Sequence, residues 1–261
     1  MTENNYFERN GSAYLSLEND EIFLGYGELS NSPENFLIKS NTLEYYDYLI
    51  FMDSRGAKVE KNAISSIELL RSYFEKMNFS YLIISRPLNL TTVATFLSFL
   101  DNTIIKFGKV VTNVGFVDTT PKKINTLLDI KSQLDGLGID YQYQNLGDFK
   151  LSNGINEELG TFSISENSIN AIAKKLKKIN SKLYFINTPE VLSNKGFTRN
   201  RPECFYSQIN KSNELVKKIS GESSGNLIDI SKVGVDTFDG VHFTDIGHKI
   251  CYKMLLGSLT L

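Results

Sequence analysis

From about residue 45 onward, short apolar runs alternate with longer stretches whose apolar residues recur at helical spacing, and this alternation limits the fold more than any other feature. The runs are YLIFM at 48–52, SYLII at 80–84, KVVTNV at 109–114, KLYFIN at 182–187 and NLIDI at 226–230. They are of strand length, and each leads into a polar or turn-rich segment. Between and after them lie Ile64, Ile67, Leu70 and Phe74, then Ile124, Leu127, Leu128 and Leu134, then Ile169, Ile172, Leu176 and Ile179, and finally Ile250, Cys251, Met254 and Leu255. Each set reads as the buried stripe of a helix. Strands alternating with helices predict an α/β fold: a five-stranded parallel sheet between helical layers. A chain of 261 residues that is 41% hydrophobic is long enough to bury one large core of this kind.

Two segments depart from the pattern. In SAYLSLENDEIFLGYGELS, two short runs flank Glu18, Asn19 and Asp20, which predicts an N-terminal β-hairpin extension within residues 1–45, ahead of an α/β domain over 46–261. Residues 140–165, rich in Gly, Asn and aromatic side chains, form an insertion before the third helix.

Composition narrows the partners. A net charge of −2 and a pI near 5.8 provide no basic field to neutralise phosphates, so nucleic acid is not an expected partner. The densest basic run, KKLKK at 174–178, falls on an amphipathic helix and reads as its solvated face. The start, MTENNYFERNGS, has neither a positive n-region nor an apolar h-region, and no apolar run reaches the length of about 18 residues needed to span a bilayer. The expectation is a soluble, cytoplasmic protein without a membrane partner. Cys204 and Cys251 stand far apart with no CxxC spacing, which indicates neither a disulfide framework nor a metal site. No GxGxxG or GxxxxGK[ST] follows the first strand, so no nucleotide fingerprint is present.

In open α/β sheets, ligands bind at the carboxyl ends of the strands, which directs attention to the residues placed there. The first strand runs out as LIFMDSRGA, so Ser54 stands between a strand end and a helix, with Gly56 permitting a tight turn. A serine in that position is either a helix cap or a nucleophile whose own N–H faces a developing oxyanion. A serine nucleophile needs a base, and an imidazole serves best when a carboxylate fixes its tautomer. The chain has two histidines, and the segment DGVHFTDIGH contains both. Asp239 precedes His242 by three residues, close enough for a loop to bring carboxylate to ring, whereas His248 falls at the start of the last helix and reads as structural. Arg55 and Arg86 each follow a serine at a strand end, where they could bind an anionic group of a substrate.

MDSRG after the first strand, GFVD after the third, a Thr-Pro in FINTPEV on the fourth, and DGVHFTDIGH before a C-terminal helix together resemble the SGNH, or GDSL, hydrolase superfamily. The resemblance covers roughly residues 45 to 261 in order and spacing, and DGVHFTDIGH is its most specific part. It implies a flavodoxin-like three-layer α/β/α fold and the chemistry of esterases, lipases and carbohydrate deacetylases. By the same resemblance Ser54 is the nucleophile, Asp53 the residue before it, His242 the base and Asp239 its orienting acid. The oxyanion hole would combine the N–H groups of Ser54, Asn89 and Gly115, with Asp53, Arg55 and Arg86 toward the substrate. No cofactor or metal is implied.

The departures from the family pattern are specific. Met52 takes the place of a glycine before Asp-Ser, Asn89 stands near the glycine of the oxyanion loop, and Val117 stands where the family has an asparagine donor. Loss of one such donor costs about 3–4 kcal/mol, roughly a hundred- to thousandfold in rate. Asn89 and Asn113 are the residues that could replace it. The sequence reading is a serine esterase or deacetylase acting on a small ester, such as an O-acetylated sugar. The alternatives are an acyltransferase using the same triad, and a binding module that keeps the fold with little or no turnover.

Overall fold

The computed structural model describes residues 44–56, 64–85, 91–150, 154–190 and 201–260, together with the backbone of three strands earlier in the chain. Two of those, β1 (Leu15–Glu18) and β2 (Glu21–Leu24), pair antiparallel as the expected hairpin. The third, β3 (Phe36–Lys39), is not part of an extension. It pairs antiparallel with β5 (Tyr81–Ser85) at the edge of the main sheet.

All five expected strands form. They are β4 (Tyr45–Met52), β5, β6 (Lys106–Thr112), β10 (Lys182–Ile186) and β11 (Asn226–Ile228). Their order is β11-β10-β6-β4-β5-β3, with every pairing parallel except that of β3. The parallel part starts in the middle at β4, steps to β5, then crosses back over β4 to β6 and continues outward to β10 and β11. This reversal opens a crevice at the carboxyl ends of β4 and β6.

Alternation along β4 divides the core. Leu49 and Phe51 pack toward α2 (Val93–Asn102), α4 (Ile124–Gly136), α5 (Glu166–Leu176) and α6 (Phe205–Glu222). Ile50 and Met52 pack toward α1 (Ser66–Lys76) and α7 (Asp245–Leu259). Both faces of the central strand are therefore dry, as a parallel sheet requires. Of the predicted helix stripes, Ile64 and Leu128 are exposed; the rest are buried or partly buried.

Four helix starts are capped by hydroxyl side chains. Ser65 and Glu68 form a reciprocal capping box at α1, and Thr92, Ser165 and Thr244 each accept an N–H at the starts of α2, α5 and α7. The 140–165 insertion is a long hairpin, β8 (Tyr141–Lys150) with β9 (Asn156–Ile164), and β9 also pairs with the short β7 (Lys122–Lys123). Leu159 and Phe162 of β9 are buried, whereas most of β8 faces solvent. Among the described residues, no helix is long and apolar enough to cross a membrane, and no group of three or more His, Cys, Asp or Glu side chains is placed to hold a metal ion.

Candidate active site

Ser54 leaves β4 in a turn closed by the Gly56 N–H donating to the Asp53 carbonyl at 3.1 Å. A Cβ on Gly56 would lie 2.7 Å from Ile67 Cδ1 and 2.9 Å from Met52 Sδ, so a side chain there would displace both. The residues on either side of Ser54 turn inward. Asp53 accepts the Arg55 backbone N–H at 2.8 Å and the Arg55 Nε–H at 3.0 and 2.9 Å on its two oxygens. The Arg55 Nη2 lies 2.9 Å from Asp53 Oδ2 and also donates to the Asn113 carbonyl, while Nη1 donates to the Thr188 hydroxyl. The guanidinium also covers the ring of Phe116, 4.7 Å from its centroid.

These contacts correct two expectations. Arg55 is 1% exposed and Asp53 3% exposed, so neither faces a substrate. They form a buried ion pair that holds the Ser54 turn from behind, because a buried guanidinium is tolerated only when its donors are satisfied. Asn113 belongs to the same network: its Oδ1 accepts the Asp53 N–H at 2.8 Å and its Nδ2 donates to Asp53 Oδ1 at 2.9 Å. It is committed to the turn and does not stand in for the missing oxyanion donor.

The Ser54 side chain faces the opposite way from that network. Its Oγ lies 3.0 Å from His242 Nε2, and His242 Nδ1 lies 2.9 Å from Asp239 Oδ2. The loop between β11 and α7 shapes this pair. Asp239 Oδ1 accepts the backbone N–H groups of Val241 and His242 at 3.0 and 2.8 Å, so the carboxylate is fixed by its own loop before it meets the ring. Gly240 adopts φ +83°, a left-handed conformation that bends the loop between Asp239 and His242. The ring of Phe238 stacks on the imidazole, with centroids 5.8 Å apart and planes at 20°. Burial raises the Asp239 carboxyl, but the hydrogen bonds and charge of His242, with Arg201 behind them, more than offset it and hold the group well below the usual carboxylate range.

His248 has the structural role expected of it. It is fully buried, accepts the Ser66 N–H on Nδ1 at 3.1 Å, and meets Phe243 edge-on, joining α7 to the start of α1.

Around the oxyanion position the structure departs further from expectation. Gly115 sits at φ +112° before the short helix α3 (Phe116–Thr119), but its N–H is spent on Asp118 Oδ2 at 3.0 Å and does not face the crevice as a free donor. The same Asp118 accepts the Val93 N–H at 3.0 Å, tying α3 to the start of α2, and burial pushes its carboxyl up to about 6. Val117 packs as an apolar residue against the core and beside Phe116, Phe205, Ile209 and Val241. The Ser54 N–H remains, donating to no acceptor among the described residues. Asn89 and Arg86 lie outside the described residues.

One residue of the site was not found by sequence reasoning. Arg201 Nη2 donates to Asp239 Oδ2 at 3.1 Å, and its guanidinium lies over Phe205, 4.5 Å from the ring centroid. It stands 38 residues from Asp239 in no motif, so no spacing signal marks it.

No family model matches the sequence, and no curated protein matches it. Solved structures do. A protein described as a GDSL-like lipase from Parabacteroides merdae ATCC 43184 aligns over 83% of this chain and 97% of its own, with a TM-score of 0.50 at 13% identity. This chain has an SGNH-hydrolase-like fold.

Other structural neighbours include the lipase/acylhydrolase from Enterococcus faecalis, with a TM-score of 0.48, 15% identity and coverage of 81% and 94%. The acetyl xylan esterase AlAXEase aligns with a TM-score of 0.47, 16% identity and coverage of 81% and 98%. At such identities the likeness concerns the SGNH architecture; the catalytic reading rests on the residues themselves.

Proposed function

We propose that this chain is a serine esterase in which Ser54, His242 and Asp239 act as a catalytic triad. The observation that carries the reading is the continuous chain of contacts from Ser54 Oγ to His242 Nε2 and from His242 Nδ1 to Asp239, at 3.0 and 2.9 Å. The Asp239 carboxylate selects the tautomer with the proton on Nδ1 and leaves Nε2 to accept the serine proton. As Ser54 Oγ bonds to an ester carbonyl carbon, its proton passes to Nε2, and Asp239 stabilises the imidazolium. Collapse of the tetrahedral species breaks the bond to the alcohol, which takes the proton from Nε2. Water then attacks the acyl-enzyme by the same path and releases the acid. The chemistry needs no metal or organic cofactor.

The Ser54 N–H is in place to support the oxyanion, and with Val117 apolar a second donor has to come from elsewhere. A small ester such as an O-acetylated sugar suits the reading. The same triad would serve acyl transfer if a hydroxyl acceptor replaced water. A binding module of low turnover is the competing reading, favoured by Val117 and by the commitment of the Gly115 N–H to Asp118.

Labelling with a fluorophosphonate probe, mapped by peptide mass spectrometry, tests the reading without knowledge of the substrate. The expected result is a label on Ser54 that is lost in Ser54→Ala and reduced at least a hundredfold in rate in His242→Ala. An unlabelled, folded wild type would favour the binding module.

A further inference from the structure

The Asp239 carboxylate is shared. Its Oδ1 holds two backbone N–H groups of its own loop, and its Oδ2 holds both the His242 ring at 2.9 Å and the Arg201 guanidinium at 3.1 Å. The ion pair is well shielded, with side-chain exposures of 16% for Arg201 and 5% for Asp239. Arg201 is held there on its own account. It precedes α6, where the Phe205 N–H donates to the Pro202 carbonyl, and it rests on the Phe205 ring, itself 3% exposed. Phe205 meets Phe116 edge-on at 6.3 Å, and Arg55 covers Phe116. Two arginine–carboxylate pairs, one behind the nucleophile and one behind the base, are thus linked through two stacked contacts on one aromatic pair.

We propose that Arg201 is a positioning residue that acts on His242 through Asp239: it pins the carboxylate against the ring and takes a share of its negative charge, which keeps His242 in the neutral, proton-accepting form further into acid. The proposal deepens the esterase reading and rests on it only for the kinetic consequence.

The electrostatic reasoning is direct. A lone carboxylate beside an imidazole favours the cation, and a guanidinium on the same oxygen opposes that effect. Removing Arg201 therefore stabilises imidazolium, so the acid limb of a base-dependent rate moves to higher pH. The side chains set against the His–Asp pair include Ser54, Arg201 and the ring of Phe238, and of these only Arg201 carries a charge. Of the charged groups on the adjoining elements, Asp53 pairs with Arg55 behind Ser54, Asp245 pairs with Lys249 on α7 and Asp236 accepts the Thr244 hydroxyl, while Glu203 follows Arg201 by two residues and Lys232 lies on the loop from β11 to α7.

Because the chain has only two histidines, imidazole NMR titration can follow His242 directly, without substrate. Wild type, Arg201→Met and Arg201→Lys are titrated in parallel, with circular dichroism as the check on folding. The expected result is a His242 midpoint about half to one pH unit higher in R201M, the scale of a neighbouring charge partly screened by an intervening group, and within about 0.2 of wild type in R201K. In the same variants, the acid limb of kcat/KM for p-nitrophenyl acetate is expected to move to higher pH by the same interval in R201M alone. An unmoved midpoint in folded R201M, or an equal shift in R201K, overturns the proposal. A wild type that titrates as expected but neither hydrolyses the ester nor takes up a fluorophosphonate overturns the esterase reading and leaves the Arg201 result standing.

Discussion

At the scale of residues, Arg55 shows how little a side chain's type says about its task. Placed after Ser54 at a strand end, it has the sequence profile of a substrate-binding arginine, yet it is among the largest fully buried side chains in the protein. Its donors are divided among Asp53, Thr188 and the Asn113 carbonyl, all supplied by other strand ends of the same crevice or by the turn itself. Arg55→Met would leave Asp53 ionised and buried with only Asn113 and backbone partners, and is expected to cost about 3–5 kcal/mol in chemical denaturation. Adding Asp53→Asn removes the orphaned charge, so the double variant should be more stable than Arg55→Met alone. A double variant that loses the sum of both single losses would show that the pair does not act as a unit. Ser54, Asp239 and His242 were legible because each belongs to a local pattern: a strand end followed by Gly56, and a carboxylate three residues from one of only two imidazoles. Arg201 was not, because its link to Asp239 exists only after α6 and the loop before α7 pack side by side.

Among the elements, the loop from β11 to α7 carries most of the site's precision, and one glycine controls its seat. A Cβ on Gly247 would lie 2.1 Å from the Asp236 carbonyl oxygen, which also accepts the Thr244 N–H at 3.1 Å. Helix α7 can begin under the loop only because residue 247 has no side chain. Gly247→Ala must push α7 and residues 236–244 apart, and backbone atoms do not yield as a flexible side chain would. The expected loss is about 3 kcal/mol of stability, together with at least tenfold slower fluorophosphonate labelling of Ser54, since His242 moves with the loop. Normal labelling in a destabilised Gly247→Ala would show that the strain is relieved on the α7 side. Five strands and, of the helices, α1, α4, α5 and α7 were marked in the sequence, since periods of two and 3.6 are local properties. The edge strand β3 was not. Four residues with no following helix look like part of the preceding hairpin until β5 offers them an antiparallel partner.

Over the whole molecule, a doubly wound sheet bears the site and the β8–β9 hairpin stands apart from it. The hairpin is tied in through β9: Leu159 and Phe162 are buried, the Thr161 hydroxyl donates to the Thr119 carbonyl at 2.6 Å, and β7 pairs alongside, with an exposed Lys123–Glu157 ion pair. Replacing residues 148–158 by a two-residue turn between the paired Gly147 and Leu159 should keep the midpoint of thermal unfolding within a few degrees and leave Ser54 labelling unchanged, because the described residues among those trimmed are exposed or half-buried. A large loss of labelling would mean that the outer hairpin reaches the crevice. The sequence alone determined the strand–helix alternation, the two-sided core and the choice of Ser54, His242 and Asp239 as candidates, since these depend on spacing within a few residues. The tertiary structure decided the rest: that Arg55 is a buried brace and not a ligand for substrate, that Gly115 donates to Asp118, that β3 closes the sheet edge, and that Arg201 meets Asp239. Each depends on groups far apart in the chain competing for the same partner, and no local pattern records which of them wins.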